Sequence, residues 1–191
     1  WLEARKTHPN LRLILVPRHP DRFDSVAEMV VSMGHSLLRR SQHNTGEPPA
    51  DHHDVVLLDT IGELASCWGL ADVAFVGGSL TNRGGQNMIE PAAYGAAVLF
   101  GPNTQNFQDI VEELLERGGA RVVADGTALT QRLCELLDDS TTANALGEAA
   151  RGLVFSRQGA TATTLGILED ILPDHSISMT TASGSQTADA A

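Results

Sequence analysis

Between Phe75 and Pro91 the chain crowds small, flexible and polar residues into one stretch: Gly77-Gly78-Ser79, then Gly84-Gly85-Gln86-Asn87, then Glu90-Pro91. An apolar run (Val73, Ala74, Phe75, Val76) leads into the glycines, which reach positive φ and let backbone N–H groups approach a ligand with no Cβ in the way. A helix is expected to begin near Asn87, and its unpaired N–H groups and positive dipole end would attract a phosphate. The spacing is neither G-x-G-x-x-G nor G-x-x-x-x-G-K-[ST], so the common dinucleotide and P-loop readings do not apply. Ser79 offers a hydroxyl that can bond a phosphoryl oxygen or simply close a turn. Asn87 and Glu90 stand at capping-box spacing. Pro91 argues for a later helix start, which would leave Asn87 free in the loop and Glu90 able to meet vicinal ribose hydroxyls.

A second candidate is Arg18, in Pro17-Arg18-His19-Pro20 after the apolar run Leu11 to Val16, where a guanidinium can grip a phosphate through two parallel hydrogen bonds. The competing reading is a surface ion pair with Asp21 or Asp24. His19 is suited to donating a proton or to packing. His43, His52 and His53 lack an accompanying Cys or regular carboxylate set, so no metal site is read from them. Met29, Met33 and Met88 are read as core filler.

These residues need a scaffold, and the hydrophobic pattern supplies one. Short apolar runs alternate with amphipathic stretches, the signature of a Rossmann-like α/β fold: a three-layer parallel sheet with helices on both faces. Strands are expected at 11–16, 35–39, 55–58, 73–76, 97–100 and 121–124. Helices are expected at 24–33, from Gly62-Glu63-Leu64 to about Trp68, and at 87–94, 107–117, 129–137, 142–155 and 160–172. Ligands of such sheets lie beyond the carboxyl ends of the strands, where the Pro17 to Pro20, Asp59 to Leu64, Gly77 to Glu90 and Gly101 to Phe107 connections emerge. Residues 1–173 read as one domain, and 174–191, rich in Ser, Thr, Ala and Gly, as a disordered tail.

Composition narrows the partners. Among 191 residues, 13 are Lys or Arg and 24 Asp or Glu; the net charge of −11 opposes phosphodiester backbones and anionic lipid surfaces, arguing against nucleic acid. Cys67 and Cys134 read as buried free thiols suited to a reducing cytosol. No apolar run reaches membrane-spanning length, and the start at Trp1, inside a helical pattern, suggests a piece of a longer protein.

Four ordered motifs, Leu13-Ile14-Leu15-Val16-Pro17-Arg18-His19-Pro20, Asp59-Thr60-Ile61-Gly62-Glu63-Leu64, Ala71 through Ser79, and Gly84-Gly85-Gln86-Asn87-Met88-Ile89-Glu90, closely resemble the C-terminal half of 3-deoxy-D-manno-octulosonic acid (Kdo) transferases, over about residues 5–172. The resemblance implies the C-terminal half of a GT-B glycosyltransferase that binds the donor CMP-Kdo, in lipopolysaccharide biosynthesis. It places CMP contacts at Pro17 and Arg18, along Gly62, Glu63 and Leu64, and from Asn87 to Glu90, with Gly78 and Ser79 beside phosphate and sugar. It implies no cofactor and no metal. It also implies a lipid A precursor as acceptor, a parent protein at the cytoplasmic face of the bacterial inner membrane, and an N-terminal domain that supplies both the general base and the membrane contact. The chain alone is therefore expected to bind donor without turnover. Two positions depart from the family: Gln86 where His is common, so that a proton-transfer role there falls away, and Ile61 where Met is common. Another GT-B enzyme or an epimerase would favour a UDP-sugar, and a non-catalytic nucleotide-binding module is the remaining alternative.

Overall fold

The structure, a computed structural model, describes residues 1–43 and 52–171. Trp1–Ser156 forms one compact unit; the second, Arg157–Ala191, contributes the described helix Ala160–Ile171. The expected tail at 174–191 and much of the loop from Ser41 to His53 lie outside the described residues.

Each expected strand is present, with its ends moved by up to two residues. The strands are β1 (Leu13–Leu15), β2 (Leu37–Arg39), β3 (Val55–Leu57), β4 (Val73–Val76), β5 (Ala97–Phe100) and β6 (Ala120–Val122). All pairing is parallel, but it divides into two three-stranded sheets, β1-β3-β2 and β4-β5-β6, where one sheet was expected. Periodicity identifies strands; only hydrogen bonds between them decide which edges meet, and no ladder joins the two sheets among the described residues.

The α-helices of the described residues are α1 (Leu2–Arg5), α2 (Phe23–Ser32), α3 (Leu64–Trp68), α4 (Ile89–Ala93), α5 (Gln108–Glu116), α6 (Gly126–Asp138), α7 (Ser140–Ser156) and α8 (Ala160–Ile171). None of the described helices is long and apolar enough to cross a membrane.

The β4-β5-β6 sheet holds most of the core because both of its faces are covered. All four residues of β5 are buried, and alternate side chains go opposite ways. Val98 and Phe100 join Val76, Met88, Val111, Leu114, Ala150 and Leu153 beneath α4, α5 and α7, while Ala97 and Leu99 join Leu136, Ala143 and Leu146 of α6 and α7. Each fully buried large apolar side chain is worth roughly 1.5–3 kcal/mol. The other sheet packs Leu15, Leu37 and Leu57 beneath Val26 and Ala27 of α2.

Three sequence expectations change. Met88 is fully buried, but Met29 and Met33 are 48% and 54% exposed, because the apolar face of α2 is set by Val26, Ala27 and Val30. The cysteines are free but only half-buried. The fourth helix starts at Ile89 rather than Asn87, the later start for which Pro91 argued, and runs for five residues.

Candidate functional site

The end of β1 opens into a cavity of about 200 Å³. Leu15, Val16, Pro17, Val26 and Met29 give it an apolar lining, and Arg18, His19, Arg22 and Arg83 a polar one. Arg18 sits where the sequence predicts it, and the competing ion pair is not formed: Asp24 binds Arg39 at 2.7 Å instead. Among the described residues Arg18, Arg22 and Arg83 join no ion pair and donate no side-chain hydrogen bond, and no carboxylate lines the cavity. Three exposed arginines without counter-ions thus line one hollow of an acidic protein, and a guanidinium there has the chemistry to meet an anion.

The end of β3 is tied differently. Asp59 has a buried carboxylate that accepts from the Ser41 N–H at 2.7 Å, the Ser41 hydroxyl at 2.6 Å and Arg39 Nε at 2.7 Å. Burial pushes this carboxyl up, but the Ser41 and Arg39 bonds outweigh it and hold it below the usual carboxylate range. Gly62 takes a φ of +90°, turning the chain toward α3. Glu63 accepts from the Thr60 hydroxyl and pairs with Arg40 at 2.7 Å; the Thr60 bond first, then Arg40, keep it ionised. Arg39, Arg40 and Ser41 were not singled out from sequence. The register that sets Arg39 opposite Leu57, two residues before Asp59, is what brings them here, and no local signal carries it.

The glycine-rich connection is held by backbone geometry. Gly78, Gly84 and Gly85 have φ of +75°, +79° and +80°. A Cβ on Gly84 would lie 2.6 Å from Asn106 Nδ2 and one on Gly85 2.9 Å from Met88 Cε, both ends of side chains that can shift, so it is the left-handed conformation that demands glycine. Gln86 is half-buried, its Nε2 3.6 Å from where a Cβ on Gly78 would be. Ser79 is fully buried; its Oγ donates to the Val76 carbonyl at 2.6 Å and accepts from the Gly101 N–H at 2.8 Å. The hydroxyl thus closes the turn and ties it to the end of β5, which leaves it no reach to a phosphate. Asn87 lies outside the helix but is not free: Oδ1 accepts from the Ile89 N–H and Nδ2 donates to Glu90 Oε1, each at 3.0 Å. Glu90 Oε2 accepts from Trp68 Nε1 at 3.2 Å, linking α3 to α4.

Comparison with known proteins gives this geometry a context. No family model matches the chain. It is 40% identical to a 3-deoxy-D-manno-octulosonic acid transferase of Bordetella pertussis over 88% of this chain and 39% of the relative, and 38% identical to one of Haemophilus influenzae over 86% and 38%. A crystal structure of the C-terminal CMP-Kdo binding domain of WaaA from Acinetobacter baumannii superposes with a TM-score of 0.72 at 33% identity, covering 82% of this chain and 81% of that one. The chain belongs to the Kdo transferase family. It spans about two fifths of the length of the curated Kdo transferases it matches. Sucrose-phosphate synthase from Thermosynechococcus elongatus, at TM-score 0.51 and 20% identity over 90% of this chain and 48% of that one, shares the fold alone, the C-terminal half of a GT-B glycosyltransferase.

In this Kdo transferase domain the expected site residues fall into two groups. Pro17 and Arg18 stand on the cavity with Arg83, whose loop follows Gly78. Gly62, Glu63 and Leu64 lead into α3, and Trp68 at its far end holds Glu90, itself bonded to Asn87. No hydrogen bond or ion pair joins the groups among the described residues.

Proposed function

We propose that this chain is the donor-binding part of an inverting glycosyltransferase that moves Kdo from CMP-Kdo to a lipid A precursor. The observation that carries this reading is Arg18, unpaired beside Pro17 in a partly apolar cavity at a strand end. The likeness to a CMP-Kdo binding domain supports the choice of nucleotide.

Departure of CMP leaves negative charge on its phosphate, and Arg18 is positioned to stabilise that charge as it develops. Helix α4 has five residues, so its dipole contributes less than the sequence suggested, and the Arg18 guanidinium takes the larger share. Glu90 is already oriented by Asn87 and Trp68 and keeps lone pairs for ribose hydroxyls. With the Arg18 guanidinium at the phosphate, the scheme uses no metal and no cofactor. Acceptor deprotonation and the contact with the inner membrane, on its cytoplasmic face, belong to the N-terminal part of a full-length family member.

The test is calorimetric titration of the chain with CMP, UMP, UDP and AMP without added metal. CMP should bind best, and Arg18→Ala should weaken it at least about tenfold, one lost charge-assisted hydrogen bond, with unchanged thermal unfolding because Arg18 anchors nothing. Glu90→Ala should weaken CMP as well. Preference for UDP would move the domain to another sugar-nucleotide enzyme, and absence of binding to all four would overturn the reading.

A further inference from the structure

The cavity holds more positive charge than a nucleotide phosphate needs. A phosphodiester carries one negative charge, which a single guanidinium balances, yet Arg18, Arg22 and Arg83 all line the same hollow unpaired. Arg18 and Arg22 come from one wall, the loop after β1. Arg83 comes from another element, the loop after β4.

Arg83 is also held in place, unlike an ordinary surface arginine. Its N–H donates to the Thr81 carbonyl at 2.7 Å, and its own carbonyl accepts from Asn106 Nδ2 at 3.2 Å. It precedes Gly84 and Gly85, whose buried, left-handed conformations fix where the Cα can sit. The guanidinium therefore starts from a rigid base, which lowers the ordering cost of gripping a ligand.

This deepens the donor-site reading and rests on it. A CMP-linked 2-ulosonic acid carries two anions around its reacting carbon: the phosphodiester and the carboxylate bonded to the anomeric carbon itself. A neutral sugar carries no such second anion. We propose that Arg83 is a specificity-determining residue that binds the sugar carboxylate across the cavity from Arg18, so that the site selects nucleotide-linked sugar acids over nucleotide-linked neutral sugars. A planar guanidinium matches a carboxylate bidentately, whereas an ammonium does not.

The experiment is titration of the whole chain and of Arg83→Gln and Arg83→Lys with three probes: CMP, CMP-Kdo, and CMP-Kdo with its carboxylate converted to the methyl ester. The wild-type chain should prefer the free acid to the ester by about tenfold to a hundredfold, as one charge-assisted contact provides. Arg83→Gln should bind acid and ester alike while keeping wild-type affinity for CMP, and Arg83→Lys should restore part of the preference. Arg83 is exposed, and circular dichroism of both variants checks that the fold is kept. If Arg83→Gln binds CMP normally and still prefers the acid, the carboxylate assignment is overturned and the donor-site reading stands. If the wild-type chain binds no CMP, that reading falls and takes this one with it.

Discussion

Replacing Ser79 with alanine separates a structural hydroxyl from a ligand-binding one. The Ser79 Oγ is fully buried and meets both bonding needs of the turn, donating to the Val76 carbonyl and accepting from the Gly101 N–H. Gly101 has no freedom to find another partner, since it passes so close to Ser79 that a Cβ on it would lie 2.4 Å from the Ser79 carbonyl oxygen. Ser79→Ala therefore leaves one buried N–H unsatisfied, at about 1–3 kcal/mol, and forfeits a second bond worth about 1 kcal/mol. The sum, roughly 2–4 kcal/mol, corresponds to a fall in Tm of about 5–15 °C for a unit of this size. Urea unfolding followed by circular dichroism should show a lower midpoint at unchanged slope. CMP affinity, measured by calorimetry well below the new Tm, should stay within about threefold of wild type, since less than about 0.7 kcal/mol of direct contact is at stake. Unaltered stability together with lost CMP binding would refute the reasoning and return the hydroxyl to the phosphate.

Three further outcomes follow from the packing and the charges. A Cβ on Gly147 would sit 1.9 Å from the Gly95 carbonyl oxygen, so Gly147→Ala should lift α7 off the start of β5 and cost about 3 kcal/mol or more in urea unfolding. Gly152→Ala, in the same helix with open space around it, should stabilise by up to about 1 kcal/mol. Asp59 has a depressed carboxyl in the folded state, so its contribution is complete above the unfolded carboxylate range near pH 4 and is lost as pH falls through the folded value. Asp59→Asn should therefore be destabilised at pH 7, with the gap to wild type closing below about pH 4 in a pH series of thermal melts.

The alternation of strands and helices was legible because it depends on local chemistry: apolar runs such as Ala97 to Phe100, and stops such as Gly34 and Gly95, both of which take positive φ. The division into two sheets was not legible, because ladder partners such as Leu13 and Val55 lie far apart in the chain. At the site, Arg18 could be singled out from its place after an apolar run. Its availability could not, since that rests on Asp24 reaching Arg39 instead. Arg22 and Arg83 carry no motif-level signal of their own; a shared cavity makes them one group.

Residue types and their local spacing determined by themselves the α/β class, the strand-end loops and the family likeness, since these depend on periodicity and short-range backbone preference. Only the tertiary structure decided how the polar groups are spent: Ser79 on Gly101, Asp59 on Ser41 and Arg39, Asn87 on Glu90, and three arginines on nothing within the described protein. A side chain's chemistry belongs to its residue type, but whether that chemistry is left for a ligand depends on which distant groups the fold brings within hydrogen-bond reach.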